Sequence, residues 1–408
     1  MKTSTKAQLS LMMFLEFFIW GGWFVTMGTF LGQNLQATGG QIGAAYSTQS
    51  WGAILAPFII GLIADRYFNA EKILGVLHLL GAGLMYLMYS SGDFGSFYPY
   101  LLGYMILYMP TLALVNSVSF NQMTDPAKEF AHIRVWGTVG WIIAGLVISY
   151  VFSWDAQEAI SNGMLKNTFL MVAAASLVLG FMSFTLPKTP PQADKENVSI
   201  GDLLGLEALS LLKDRNFLVF FISSILICIP LAFYYSQANP FLIEVGMENA
   251  TGKMTIGQMS EVLFMLLLPI FFKKFGIKWT LVIGMLAWVV RYLLFAYGDA
   301  GELGFMLILG IALHGICYDF FFVSGQIYTD SKAGEKVKNA AQGLITLATY
   351  GLGMLVGFFV AGKITDANIN ADGTHVWEAI WTMPAIFAAV VLVIFIILFK
   401  NEKIEYNN

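Results

Sequence analysis

Pro187-Lys188-Thr189-Pro190-Pro191-Gln192-Ala193-Asp194-Lys195-Glu196-Asn197 is the stretch on which the reading of this chain turns. Three prolines and a charged triplet so close together make neither a buried helix nor a buried strand, and they suit a surface linker. Around it the chain is 57% hydrophobic and only 12% charged over 408 residues, and no other polar interruption is as long as the one from Pro187 to Asn216. Working outward, six apolar runs precede it, near 9–31, 41–64, 73–91, 97–120, 132–153 and 167–186. Six follow it, near 216–238, 254–272, 279–297, 303–327, 339–362 and 377–399. Each is close to the ~20 residues that cross a bilayer as a helix.

The composition removes the competing classes. A soluble domain carries about 25% charged residues, far above this chain, whose mean hydropathy is +0.70. A net charge of −4 provides no basic face for nucleic acid. The few cations are distributed unevenly: with twelve spans, seventeen Lys and Arg fall on the side of the two termini, three on the other, and Arg134 and Arg291 inside spans. That alternation predicts an even number of spans with both termini cytoplasmic. The expected fold is therefore all-α and integral to the membrane, with twelve transmembrane helices in two six-helix bundles (1–186 and 216–408) joined by a cytoplasmic linker (187–215). The first apolar run, Leu9 to Leu31, is too long for a cleaved leader and is expected to stay as a helix. Cys228 and Cys317, both in apolar runs, read as small buried hydrophobes.

Ionisable groups at bilayer depth cost at least about 2.5–3.5 kcal/mol each, so each needs a reason. Arg134, Thr138 and Trp141 follow i, i+4, i+7 spacing and share one helical face, which can pair a carboxylate, hydrogen-bond a polar ligand and stack on a flat ring. The alternative for Arg134 is a side chain that snorkels to the interface. Gln258 and Glu261 share a face in span 8; Glu261, with apolar residues up to Pro269, is a candidate proton carrier or half of an interhelical pair. Asp319, followed by three phenylalanines, reads as an ion-coupling site or an interhelical lock. Glu16 reads equally as a second titrating group or half of a structural pair, and Arg291 as a lock between helices. His314 and Tyr318 lie one turn apart in span 10. Asn116, Gln49 and Gln237 are further polar candidates, while His78, His132 and His375 stand at no metal-ligand spacing. Walker A, G-x-S-x-G and H-E-x-x-H motifs are absent, so neither ATP hydrolysis nor enzyme catalysis is expected, and no cofactor or metal.

Gly61-Leu62-Ile63-Ala64-Asp65-Arg66, after span 2, resembles the G-x-x-x-D-R motif of the major facilitator superfamily, which implies that Asp65 and Arg66 take part in gating. Further stretches resemble the nucleoside:proton symporter family within that superfamily. They include Tyr108-Met109-Pro110-Thr111, Ile133-Arg134-Val135-Trp136-Gly137-Thr138, Gln258-Met259-Ser260-Glu261, Ala287-Trp288-Val289-Val290-Arg291 and Tyr318-Asp319-Phe320-Phe321-Phe322. They run in order along nearly the whole chain.

The resemblance implies a substrate bound between the two halves, contacted by Arg134 and Thr138, by Gln258 and Glu261, and by Tyr318, with Trp141 and His314 shaping the pocket. Glu261 and Asp319 would be the essential carboxylates, with Glu16 as a further proton-coupling candidate. This sequence departs from the family at Ala232 and Tyr235, where span 7 amides are expected, at His314, where a tyrosine is expected, and at Glu16, where a neutral amide is expected. The implied activity is uptake of a nucleoside with a proton by alternating access, in a monomer of the bacterial inner membrane. The departures motivate an alternative, proton-coupled uptake of another small polar solute such as a sugar.

Overall fold

The computed structural model describes residues 2–59, 68–191, 201 and 205–402. Helix α1 spans Thr3–Gly21, α2 Gly39–Ile59, α3 Ala70–Ser90, α4 Phe94–Asn121, α5 Pro126–Leu146 and α6 Asn167–Ser183. In the second half α7 is Arg215–Glu244 and α12 is Trp377–Leu398. Between them lies a helical stretch, Ala250–Tyr297, 48 residues long. A straight helix of that length would run about 70 Å, more than twice the thickness of a bilayer core. Gly276 resolves the excess: at φ 69° and ψ 178° it reverses the chain and divides the stretch into α8 (250–275) and α9 (277–297). Gly334, at φ 64° and ψ 175°, does the same between α10 (304–333) and α11 (335–367). Both positions have positive φ, which a side chain would strain. The rods follow the twelve apolar runs of the sequence, and nine helices among the described residues are long and apolar enough to cross a membrane.

Several rods contain π-helical turns: Phe30–Asn34 beyond α1, Val147–Val151 at the end of α5, Asp319–Val323 in α10 and Leu347–Gly353 in α11. Such turns frequently mark functional sites. Two of these carry residues of the candidate site, Asp319 and Tyr350.

The chain forms two compact units, one of Met1–Ser199 with Glu248–Gly252, the other of Ile200–Met247 with Lys253–Asn408. In the first unit α1 lies along α5 at close range. A Cβ on Gly140 would collide with the Phe14 carbonyl, and one on Gly21 would come within 2.9 Å of the Trp141 ring. The five residues Glu248–Gly252 are bonded there too, where Asp155 and Ser149 accept the backbone N–H groups of Thr251 (3.0 Å) and Gly252 (2.6 Å). In the second unit α7 packs against α11 and α12. Rings of α7, α9 and α12 interlock there, with Tyr292 stacked on Trp381 at 5.5 Å and Phe241 edge-on to Trp381 at 5.5 Å.

The outward faces are as apolar as the inside: Leu266 is 73% exposed, Ile397 72% and Phe359 64%. Water would oppose such a surface and hydrocarbon chains would not. The ends of the linker are docked, each on its own unit. Thr189 N–H donates to Glu71 Oε2 (2.9 Å) in the first unit, and in the second the turn Leu206–Lys213 buries Ala208 against Ala341 and Leu344. Its charged centre, Asp194 to Glu196, lies outside the described residues.

Candidate functional site

In the first unit the site residues come from α1 and α5. Arg134 is half-buried and lays its guanidinium 4.1 Å above the centroid of the Phe17 ring, a cation–π contact that holds it beside α1. Gly137, one turn on, makes room for it: a Cβ there would sit 2.7 Å from Arg134 Nη1. Trp141, two turns from Arg134, packs edge-on against Trp20 at 5.6 Å, and Trp20 is edge-on to Tyr108 at 5.7 Å. Thr138 and Asn116 are half-buried. The α1–α5 contact thus holds Arg134 and Trp141 against one wall of aromatic rings.

Glu16 is fully buried in the same unit, and three residues satisfy it. His78 Nε2 lies 2.8 Å from Oε2, the Thr111 hydroxyl donates to Oε1 at 2.5 Å, and the Tyr108 hydroxyl donates to the Glu16 backbone carbonyl at 2.8 Å. His78 is itself only 2% exposed. Glu16 is therefore half of an interhelical pair, with a partner, His78, whose role the sequence alone left unassigned.

The second unit holds the denser cluster. Helix α10 is interrupted at Leu313, between the segments Gly304–Ala312 and His314–Tyr318. The Ser260 hydroxyl of α8 fills the gap, donating to the Ala312 carbonyl (2.5 Å) and accepting from the Gly315 N–H (2.9 Å). This clamp sets α8 against α10 at the level where Glu261 follows Ser260 and His314 precedes Gly315. Its consequence is that His314 Nε2 comes 3.8 Å from Glu261 Oε2. On its other side, His314 Nδ1 lies 3.1 Å from Arg291 Nη1 of α9, and its ring stacks on Tyr234 of α7 at 5.3 Å. Arg291 also places its guanidinium 3.4 Å from the centroid of Tyr234.

One turn after His314, Tyr318 shares a 2.6 Å hydrogen bond with the hydroxyl of Tyr350, which is carried by the π turn of α11. Tyr235 lies within electrostatic reach of both Tyr318 and Glu261. Asp319 starts the π turn of α10 and is fully buried, and among the described residues neither carboxylate oxygen has a hydrogen-bond partner. Glu261 lies within electrostatic reach of it. The second unit therefore gathers two carboxyl groups, a histidine, a guanidinium and several phenols in a few helical turns.

The model of the family described as nucleoside H+ symporter matches residues 1–404. The chain belongs to that family. It is 44% identical over 408 residues to YegT of Escherichia coli (strain K12), covering 98% of this chain and 95% of YegT. It is 34% identical to the xanthosine permease of the same organism, with 99% of each chain covered. The crystal structure of nucleoside transporter NupG superposes with a TM-score of 0.88 at 30% identity, covering 98% of this chain and all of that one.

Within this family the departures noted in the sequence have structural reasons. Ala232 is buried under α11, where a Cβ on Gly357 would come 2.6 Å from the Ala232 Cβ, so a larger amide side chain would not fit that contact. Tyr235, at the other such position, lies within electrostatic reach of Tyr318 and Glu261. His314, at a position where a tyrosine is expected, acquires Arg291 and Glu261 as neighbours. Asp65 and Arg66, the expected gating pair, lie outside the described residues. Gln258 is half-buried one turn before Glu261. Three participants went unassigned in the sequence: His78, Ser260 and Tyr350. The only signal for the first was a titratable residue inside an apolar span; a serine and a tyrosine in such runs give none.

Proposed function

We propose that the protein takes up a nucleoside together with a proton. Arg134, Thr138 and Trp141 of the first unit and Gln258, Glu261, His314 and Tyr318 of the second bind the substrate. Tyr235 and Tyr350 belong to the cluster of the second unit. Glu261 and Asp319 carry the coupling proton, Glu16 with His78 serves as a further exchanging pair, and Asp65 and Arg66 gate. The observation that carries the coupling is Asp319. Among the described residues nothing donates to its carboxylate, and a carboxylate left so in an apolar site is unfavourable by several kcal/mol, whereas its protonated form is tolerated there. On these grounds of burial and missing donors, Asp319 is proposed to hold the coupling proton, with Glu261 in the same unit. Loading and releasing that proton changes the charge buried in the second unit, which gives a gradient something to act upon.

The excess of cations on the side of the termini supports a cytoplasmic orientation of both in the bacterial inner membrane, and the working unit is a monomer. The substrate class is tested by uptake of radiolabelled uridine into proteoliposomes, with unlabelled nucleosides and monosaccharides as competitors. Nucleosides should suppress uptake and monosaccharides leave it unchanged. Competition by a sugar alone would replace the nucleoside with that solute.

A further inference from the structure

Arg291 lies in the middle of α9, fully buried, and no carboxylate among the described residues pairs with it. A guanidinium stays charged at any pH and only donates hydrogen bonds, so burial without a carboxylate requires other electron-rich partners. Three are present among the described residues, the faces of Tyr234 at 3.4 Å and Phe295 at 5.8 Å and the Nδ1 nitrogen of His314 at 3.1 Å. The contact with His314 has a chemical consequence. Because Arg291 cannot accept, Nδ1 must offer its lone pair, and a neutral imidazole with a bare Nδ1 carries its hydrogen on Nε2. An imidazolium would have no lone pair for Arg291 and would place two positive charges side by side. Nε2 is the nitrogen that faces Glu261 Oε2 across 3.8 Å.

We propose that Arg291 is a positioning residue of the transport site, acting through His314: it fixes the imidazole as the Nε2–H tautomer and so aims a hydrogen-bond donor at the Glu261 carboxylate and at a substrate bound there. The geometry leaves the ring little freedom. Tyr234 stacks on it at 5.3 Å and 23°, and the Ser260 clamp holds the backbone on both sides of it. The separation of 3.8 Å exceeds a hydrogen bond, so the Nε2–H stands where a small rotation engages Glu261 and a polar group of the substrate can engage both. The inference rests on the nucleoside reading for its transport consequences, but not for the tautomer.

The tautomer is read directly by ¹⁵N NMR of histidine-labelled full-length protein in lipid. His314 is one of four histidines, and its signal is identified by its loss in H314L. The wild type should show His314 protonated on Nε2 and bare at Nδ1, R291K should preserve that state, and R291M should mix the tautomers. In uptake, R291M and H314L should each raise KM about tenfold with kcat little changed, the loss of one hydrogen bond to a charged group. The double variant should be no worse than either single one. An Nδ1–H tautomer in the wild type, or KM losses that multiply in the double variant, would overturn the proposal. Should R291M fail to fold, the wild-type spectrum, assigned through H314L or by elimination through single substitution of the other three histidines, still decides it. Should the wild type transport no nucleoside, the proposed function falls while the spectrum still tests the Arg291–His314 link.

Discussion

Glu16 and His78 illustrate what a buried charge needs in order to persist. Glu16 has two side-chain partners for its carboxylate, His78 at 2.8 Å and Thr111 at 2.5 Å, in a place where neither it nor His78 meets solvent. Removing one partner of such a pair is far more costly than removing both, because it leaves a lone group buried. H78L should therefore destabilise the protein in detergent by about 3–5 kcal/mol, while E16Q/H78L recovers much of that loss. Equal melting temperatures for the two variants would contradict the pairing. The sequence marked Glu16 as either a titrating group or half of a pair, but it could not supply the partner. The two residues are 62 positions apart, and only the folding of the first unit brings them together. The same holds for Arg291 and His314, 23 positions apart on different helices. Residue type and membrane depth indicate that a group must be satisfied; which group satisfies it is a property of the fold.

Single side chains and glycines at the breaks and ends of helices fix their registers. Gly315 lies so close to α8 that a Cβ would meet the Ser260 carbonyl carbon at 2.5 Å and the Glu261 nitrogen at 2.6 Å, both backbone atoms that cannot step aside. G315A should force α8 and α10 apart, at a cost of about 1–3 kcal/mol. Uptake should suffer more than stability, because Glu261 and His314 separate together. A G315A protein with unchanged KM would show that their spacing is unimportant. At the start of α7, Asp214 accepts the Phe217 N–H at 2.9 Å and also pairs with Lys332 at 3.0 Å. The N–H first and the lysine second hold its carboxyl below the usual carboxylate range. Since the folded value lies below the unfolded one, its contribution is complete above about pH 4 and is lost as pH falls through the folded value. D214A should cost about 1 kcal/mol at neutral pH, as for other helix caps. That difference should shrink as the solution is acidified below pH 4; a constant difference would exclude the carboxylate. The twelve apolar runs were legible because lipid imposes a length on each helix. The breaks at Gly276 and Gly334 also fall at glycines in polar junctions. The interruption at Leu313 has no such signal, since it depends on a serine hydroxyl supplied by another helix.

For the molecule as a whole, the scarcity of charge is the organising fact. Only 12% of residues are charged, so a charge at bilayer depth stands out, and those in the second unit converge on one cluster containing Glu261, Arg291, His314 and Asp319. Family membership and the likeness to NupG place that cluster in a protein of the nucleoside symporter type. On the proposed function, Glu261 and Asp319 couple substrate uptake to protons. This coupling is tested most directly by following radiolabelled uridine in proteoliposomes with and without an imposed pH gradient, acid outside. Wild-type protein should accumulate uridine above its external concentration only when the gradient is present, and E261Q and D319N should each lose that accumulation. Full accumulation by both variants, or gradient-independent equilibration by the wild type, would contradict the account.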